Sequence, residues 1–397
     1  MKKLLMATAT AALLAGAAMG TANAEEIKIG VILGFTGPIE SLTPQMADGA
    51  ELAMKEVTDS GALLGGATVT SVRADSTCID AAAATAAAER LVTSDGVKAI
   101  MGADCSGVTG AILSNVAVPN GIVMISPSAT SPSLSTAEDN GLFFRTSPSD
   151  ARQGVVISDI LMDQGITSVA LTYTNNDYGK GLADAFQSAY EAAGGTVTIS
   201  ASHEDGKADY SAEVGALAAA GGDRLVVAGY IDQGGGGIVR AALDSGAFDT
   251  FHFPDGMISA ALEENFGEEI DGSSGDHPGT DSPGAAKFAE LVNGAFDASS
   301  PFAPESYDAA ALIMLAMQAA GSMDSADFKD KVMDVANAPG EKIYPGELAK
   351  ALQILADGGD IDYVGATAVE LIGPGESAGN YREITIDGGK VTTVKYR

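Results

Sequence analysis

An apolar run, residues 27–35 (IKIGVILGF), reads as a buried strand that runs into a Gly-Phe-Thr-Gly-Pro turn at 34–38. Behind it Met46, Gly49, Ala50, Ala53, Met54 and Val57 recur at three- and four-residue spacing, which predicts a helix over 45–60. The pattern then repeats. Strand-like segments at 68–75, 97–104 and 121–126 alternate with an Ala-rich helix at 80–93 and a short helix at 111–116. Residues 142–150 (LFFRTSPSD) break the rhythm, and it restarts with helices at 151–164, 179–193, 210–220 and 238–245. Strands at 168–175, 196–202, 224–230 and 251–255 lie between them. Strands and helices alternating at this spacing predict βαβ units and parallel sheets, here in two successive sets of α/β class.

A Gly/Ser/Asp-rich stretch at 271–284 reads as a crossing segment. Helices are expected after it at 285–296, 304–320, 325–336 and 346–355, and strands in the tail at 381–395. Late helices that return to the first set would make several crossings between two lobes, and several crossings make a hinge.

The N-terminus bears on compartment. Met1-Lys2-Lys3 is a short basic start, residues 4–19 are apolar and small, and Ala22-Asn23-Ala24 has the form of a cleavage site. This is the pattern of a secretory signal peptide cut after Ala24, with export to the periplasm. Loss of Lys2 and Lys3 takes the formal charge from −31 to −33. So acidic a chain repels polyanions, which argues against nucleic acid as a partner. In an oxidising compartment the two cysteines, Cys78 and Cys105, read as a disulfide.

The chain lacks the phosphate-loop, nucleophile-elbow and metal-helix motifs, and its three histidines are scattered, so neither an enzyme nor a metal or other cofactor is expected. Gly234 to Gly237 lacks dinucleotide spacing and reads as a flexible helix entry. What remains is the chemistry at strand ends, where open α/β sheets hold ligands. The first set ends in Asp104-Cys105-Ser106-Gly107 and in ISPSATSPSLS, residues 125–135, which is rich in hydroxyls and free of charge. The second ends in Asn175-Asn176-Asp177-Tyr178-Gly179, in Tyr230 and in Asp255-Gly256. Neutral donors suit a carboxylate, whereas a carboxylate with aromatic rings suits an ammonium. An amino acid would bridge the two. The bland alternatives are a helix cap for Ser106, a turn former for Thr130, a surface ring for Tyr178, a core ring for Tyr230 and a solvated acid for Asp255.

The order and spacing of IKIGVILGFTGP, GAELAMKEV, DSTCID, GADCSG, ISPSATSPSLS, FRTSPSD and NDYGKGLADAF resemble one family over nearly the whole mature chain. It is the periplasmic leucine/isoleucine/valine-binding protein family, the substrate-binding component of branched-chain amino-acid ABC importers. The resemblance implies a type I periplasmic binding protein: two doubly wound Rossmann-like lobes on a three-segment hinge, with a disulfide like Cys78–Cys105. The lobes are expected at 25–145 with 278–355, and at 146–277 with 356–397.

The resemblance further implies that Ser106 and Thr130 hold a ligand carboxylate with help from Ser128 and Ala129. Tyr178 and Tyr230 would flank the ligand, and Asp255, beside Gly256, would pair its α-ammonium. Two positions depart from the family pattern. Asp255 stands where glutamate is frequent, shorter by one carbon–carbon bond, about 1.5 Å. Leu42 stands near a frequent aromatic. The implied protein is a monomer that closes on a neutral, branched-chain-type amino acid and delivers it to a membrane permease. An aromatic acid or short amide bound by the same fold is the alternative.

Overall fold

The computed structural model describes residues 25–397, so the signal-peptide reading of residues 1–24 lies outside the described residues. The first set of strands is β1 (Glu26–Leu33), β2 (Thr68–Asp75), β3 (Ala99–Gly102), β4 (Met124–Ser126) and β5 (Phe143–Arg145). They pair in parallel in the order β2-β1-β3-β4-β5. Residues 142–150, read as a break in the rhythm, thus begin with a fifth strand.

The second set is β6 (Ser168–Thr174), β7 (Thr196–His203), β8 (Arg224–Ala228), β9 (Phe251–Phe253) and β10 (Ser274–Pro278), again parallel, in the order β7-β6-β8-β9-β10. β10 falls inside the stretch expected to be a crossing. Its sequence, SGDHP, is polar, yet all five residues are buried. The polar groups are satisfied from neighbours. Ser274 bonds Arg224 and His252, while Asp276 bonds His252 and Gln153. Burial of such groups is tolerated because each finds a partner, and only the tertiary structure supplies those partners.

The remaining strands are the small parallel pair β11 (Glu341–Ile343) and β12 (Ile361–Tyr363), then β13 (Leu371–Ile372), β14 (Glu376–Ser377), β15 (Tyr381–Asp387) and β16 (Lys390–Tyr396). β14 pairs with β5 in the first sheet, whereas β15 and β16 extend the second beyond β10. The chain therefore crosses between sheets after β5, after β10 and between β14 and β15. The expectation that 356–397 belongs to the second lobe fails for 361–377, where Tyr363, Ala366 and Thr367 bond Asp308 of the first lobe. The Glu376 carboxylate bonds Arg145 at the end of β5 and pins that segment to the first sheet.

The first lobe's core is closed by the helix Ala303–Ala320, buried along most of its length and packed against Thr43–Ser60. The late helices do return to the first sheet. The helix expected at 111–116 begins earlier, at Ser106, directly after β3. Gly234 to Gly237 are not a flexible entry. A Cβ at Gly235 would lie 2.3 Å from the Met257 sulfur, and one at Gly237 equally close to the Tyr210 ring, so these glycines let the helix pack closely.

Candidate functional site

Each sheet reverses its strand order at one point, between β1 and β3 in the first and between β6 and β8 in the second. The loops beyond those points diverge and leave a crevice. They face each other across one cleft. Ile39, Leu42, Asp104, Cys105, Ser106, Ser128 and Phe302 come from the first lobe, and Tyr178, Tyr230, Asp255 and Gly256 from the second. Counted to its open mouth, the space between them is about 310 Å³. The lobes touch directly beside it. Ser41 N donates to Asp232 Oδ2 at 2.8 Å, Ser41 Oγ to Ser259 Oγ at 2.9 Å, and Asp232 N to Pro38 O at 3.1 Å. This is a closed arrangement.

In the first lobe Asp104 ties the ends of three strands together. Its carboxylate accepts from Gly34 N at 2.5 Å and from Ser76 Oγ at 2.9 Å, and burial raises its pKa. The disulfide Cys78–Cys105 joins the loops after β2 and β3 just behind. Ser106 opens its helix, and its Oγ accepts from Ser131 N at 3.0 Å, so the hydroxyl hydrogen is free to donate. The Thr130 hydroxyl is buried and makes no hydrogen bond within the protein.

Ser128 and Ala129 differ from these two. Their N–H groups donate to Ser126 Oγ, and Ser128 Oγ donates to Asp104 O. Most hydroxyls of ISPSATSPSLS thus shape the loop. Ser126 braces Ala103 O, Ser131 caps a short 3₁₀ turn, and Ser135 bonds Glu376. Only Thr130 has an unused hydroxyl buried in this loop.

The second lobe supplies rings and acid. Asn176 caps the helix Asp177–Ala192 through Gly179 N, which sets Tyr178 in the first turn. The Tyr178 and Tyr230 rings stack at 5.1 Å with 17° between planes. Tyr178 donates to Asp255 Oδ1 at 2.7 Å, and Gly256 N donates to the same oxygen at 2.6 Å. A Cβ at Gly256 would lie 2.7 Å from Gly229 O, so no side chain fits there. Asp255 is 1 % exposed, and its Oδ2 has no partner within the protein. Burial pushes its pKa up to about 7.

One acid escaped the sequence reading. Asp150, at the start of the helix Asp150–Asp163 and just past the first crossing, is fully buried with neither oxygen hydrogen-bonded. Burial raises its pKa well above the ordinary value, and the charge of Asp255 adds to that. In sequence an Asp that follows the N-capping Ser149 reads as a first-turn acid at the positive helix end, so nothing marked it. Phe302 was missed as well, whereas Leu42 lines the cleft as a departure from the expected aromatic. Asp255 faces the Ser106 hydroxyl across an apolar gap, and Asp150 lies beside Thr130, its N–H donating to Thr130 O at 2.9 Å. That arrangement can take a molecule with a cationic end and an anionic end. Among the described residues no His, Cys, Asp and Glu group is arranged to hold a metal, and no helix is long and apolar enough to cross a membrane.

Comparison with known proteins agrees with this fold. A family described as periplasmic binding protein matches residues 26–342. The Leu/Ile/Val-binding protein homolog 3 of Brucella melitensis is 35% identical over 59% of this chain, which spans 61% of that relative's length. Two solved structures share the fold. A branched-chain amino acid transporter substrate-binding protein from Streptococcus pneumoniae, in complex with isoleucine, has a TM-score of 0.77 at 24% identity, covering 94% of this chain and 100% of its own. A solute-binding protein of an ABC transporter from R. palustris, in complex with benzoate, has a TM-score of 0.75 at 19% identity, covering 94% and 96%.

Proposed function

The chain belongs to the periplasmic binding protein family, and we propose that it is the substrate-binding component of an ABC importer for neutral amino acids.

 Its ligand class is a compact zwitterion with an apolar side chain, of the branched-chain type. The observation that carries this reading is the pair Asp150 and Asp255, whose three free carboxylate oxygens are buried and need a hydrogen-bonded cation. The ligand's ammonium would sit on them. Its carboxylate would take the hydroxyls of Ser106 and Thr130, and its side chain would rest against Ile39, Leu42 and Phe302. Closure of the two lobes buries the ligand, and the closed form, acting as an exported monomer, presents both lobes to the permease. A ligand favours closure only by its preference for that state. No catalytic step is required.

The aromatic-acid or amide alternative fits less well. Such a ligand brings no cation, and it would leave Asp150 and Asp255 buried without a partner, which costs free energy. A thermal-shift panel decides between them, because a ligand that binds only the folded form raises Tm. Leucine, isoleucine, valine and alanine are expected to raise it. A rise with benzoate or 4-hydroxybenzoate, and none with any amino acid, would overturn the reading.

A further inference from the structure

A second cavity, about 780 Å³ counted to its open mouth, is built around the second and third crossings and shares no lining residue with the cleft. Among its polar groups Asp297 Oδ1 already accepts from Ser299 N and Oγ, each at 2.8 Å, and three others bear on a ligand. Glu305, in the first turn of the helix Ala303–Ala320, is 2 % exposed, and its Oε2 makes no hydrogen bond within the protein. His277, at the end of β10, is buried, with Nδ1 2.7 Å from Pro278 O. A carbonyl only accepts, so Nδ1 carries the proton and Nε2 is left as an acceptor. Arg382, on β15, donates Nε to Thr393 Oγ1 at 2.8 Å and makes no salt bridge among the described residues. Ala285, Ala289 and Pro304 supply apolar wall.

We propose that this cavity is a second binding site, for a compact aminocarboxylate whose ammonium is held by Glu305 and His277 and whose carboxylate is held by Arg382. A buried carboxyl oxygen and an imidazole acceptor call for a donor-rich cation. The guanidinium is suited to a carboxylate, and the alanines leave room for a short methylene chain. Burial pushes Glu305 up to about 8, so at neutral pH the carboxyl holds a proton until a cation replaces it. Glu305 belongs to the first lobe, and His277 and Arg382 belong to the second sheet. The bound molecule therefore ties the lobes together on the hinge side. By linkage it strengthens ligand binding in the cleft by the same factor that a cleft ligand strengthens it.

Calorimetric titration of the mature chain with 5-aminopentanoate tests the site, with pentylamine and pentanoate as single-ended controls. Saturable binding is expected, at least about tenfold tighter than either control. It should persist in Asp255→Asn, which alters the cleft. It should weaken at least about tenfold in Glu305→Gln, which removes the anion, and in Ala289→Phe, which fills the cavity from an exposed helix position. Absence of saturable binding overturns the proposal. So does binding that needs Asp255, or binding that survives Ala289→Phe, since each would put the probe elsewhere.

Discussion

The Tyr178 hydroxyl donates to Oδ1 of Asp255 at 2.7 Å and leaves Oδ2 buried without a hydrogen-bond partner among the described residues. Stacking on Tyr230 fixes the Tyr178 ring, so the bond also fixes the direction of the carboxylate. One oxygen is occupied by the protein and the other is kept for the ligand. Tyr178→Phe keeps the stack and removes the bond. A hydrogen bond to a charged group is worth about 1.5–3 kcal/mol, so leucine should bind roughly tenfold more weakly or worse. Calorimetry checks this, and unchanged affinity would mean that Tyr178 only packs.

Asp150 and Asp255 should be jointly required. Replacing either by asparagine removes half of the cation site, and breaking a buried charge pair costs about 3–5 kcal/mol. Amino-acid binding should fall below detection in both Asp150→Asn and Asp255→Asn. The empty protein should respond in the opposite direction. Each substitution removes a buried carboxylate without a partner, so Tm at pH 8 without ligand should rise. Binding retained in either variant removes that residue from the site.

Much of this was legible in the sequence because hydrophobic periodicity reports on parallel strands buried on both faces. The ends of β1, β3, β6 and β8 could then be read directly for Ser106, Tyr178 and Tyr230. Two features were not legible. β10 is polar, and its burial depends on His252, Gln153 and Arg224 arriving from distant positions. Asp150 looks like any acid in a first helical turn until the fold seats Asp255 beside it. In both cases the informative quantity is a tertiary partner, which local pattern does not encode.

Affinity for an amino acid should depend on pH in a defined window. Burial raises the pKa of Asp255 to about 7, so the folded, empty protein favours the protonated acid. The sign follows from linkage. This group's contribution to the stability of the empty protein is fully present below the ordinary carboxylate pKa and is lost as pH rises through 7. An ammonium requires the ionised form, so binding expels the proton and tightens over the same window. For the Asp255 proton alone, Kd should improve about tenfold between pH 5 and 6 and about twofold between 7 and 8, and the raised Asp150 adds a further gain in the same direction. Titrations in buffers of different ionisation heat would count the protons released at pH 6. A flat profile would mean that the carboxylates are ionised before the ligand arrives.

The disulfide should contribute to stability through the unfolded chain. Cys78 and Cys105 lie 27 positions apart, and closing a loop of that length is worth about 3.5 kcal/mol on a chain-entropy basis. The double substitution Cys78→Ser with Cys105→Ser should lower Tm accordingly. Cys105 lines the cleft and immediately precedes the helix that carries Ser106, so leucine affinity should fall as well. Chemical denaturation and calorimetry on the same sample separate the two effects.

Arg145 should prove to be the residue that holds the carboxylate-binding loop in shape. It is 1 % exposed, and its Nη1 donates to the carbonyls of Ala129 and Ser131, each at 2.9 Å. These carbonyls flank Thr130. Its Nη2 bonds Ser135 Oγ and the Glu376 carboxylate, which also fastens β14 to the first sheet. Arg145→Met would take the cation from Glu376, which keeps only Ser135 Oγ, and would remove the side-chain donor from the Ala129 and Ser131 carbonyls, at a cost of about 3–5 kcal/mol. Arg145→Lys keeps the charge but has no planar fork to reach two carbonyls and a carboxylate together. Its Tm should fall less than that of Arg145→Met, and leucine affinity should still drop because Thr130 is no longer held from both sides. Equal affinity in Arg145→Lys and the parent, measured by calorimetry below the Tm of both, would show that the loop keeps its shape without the fork.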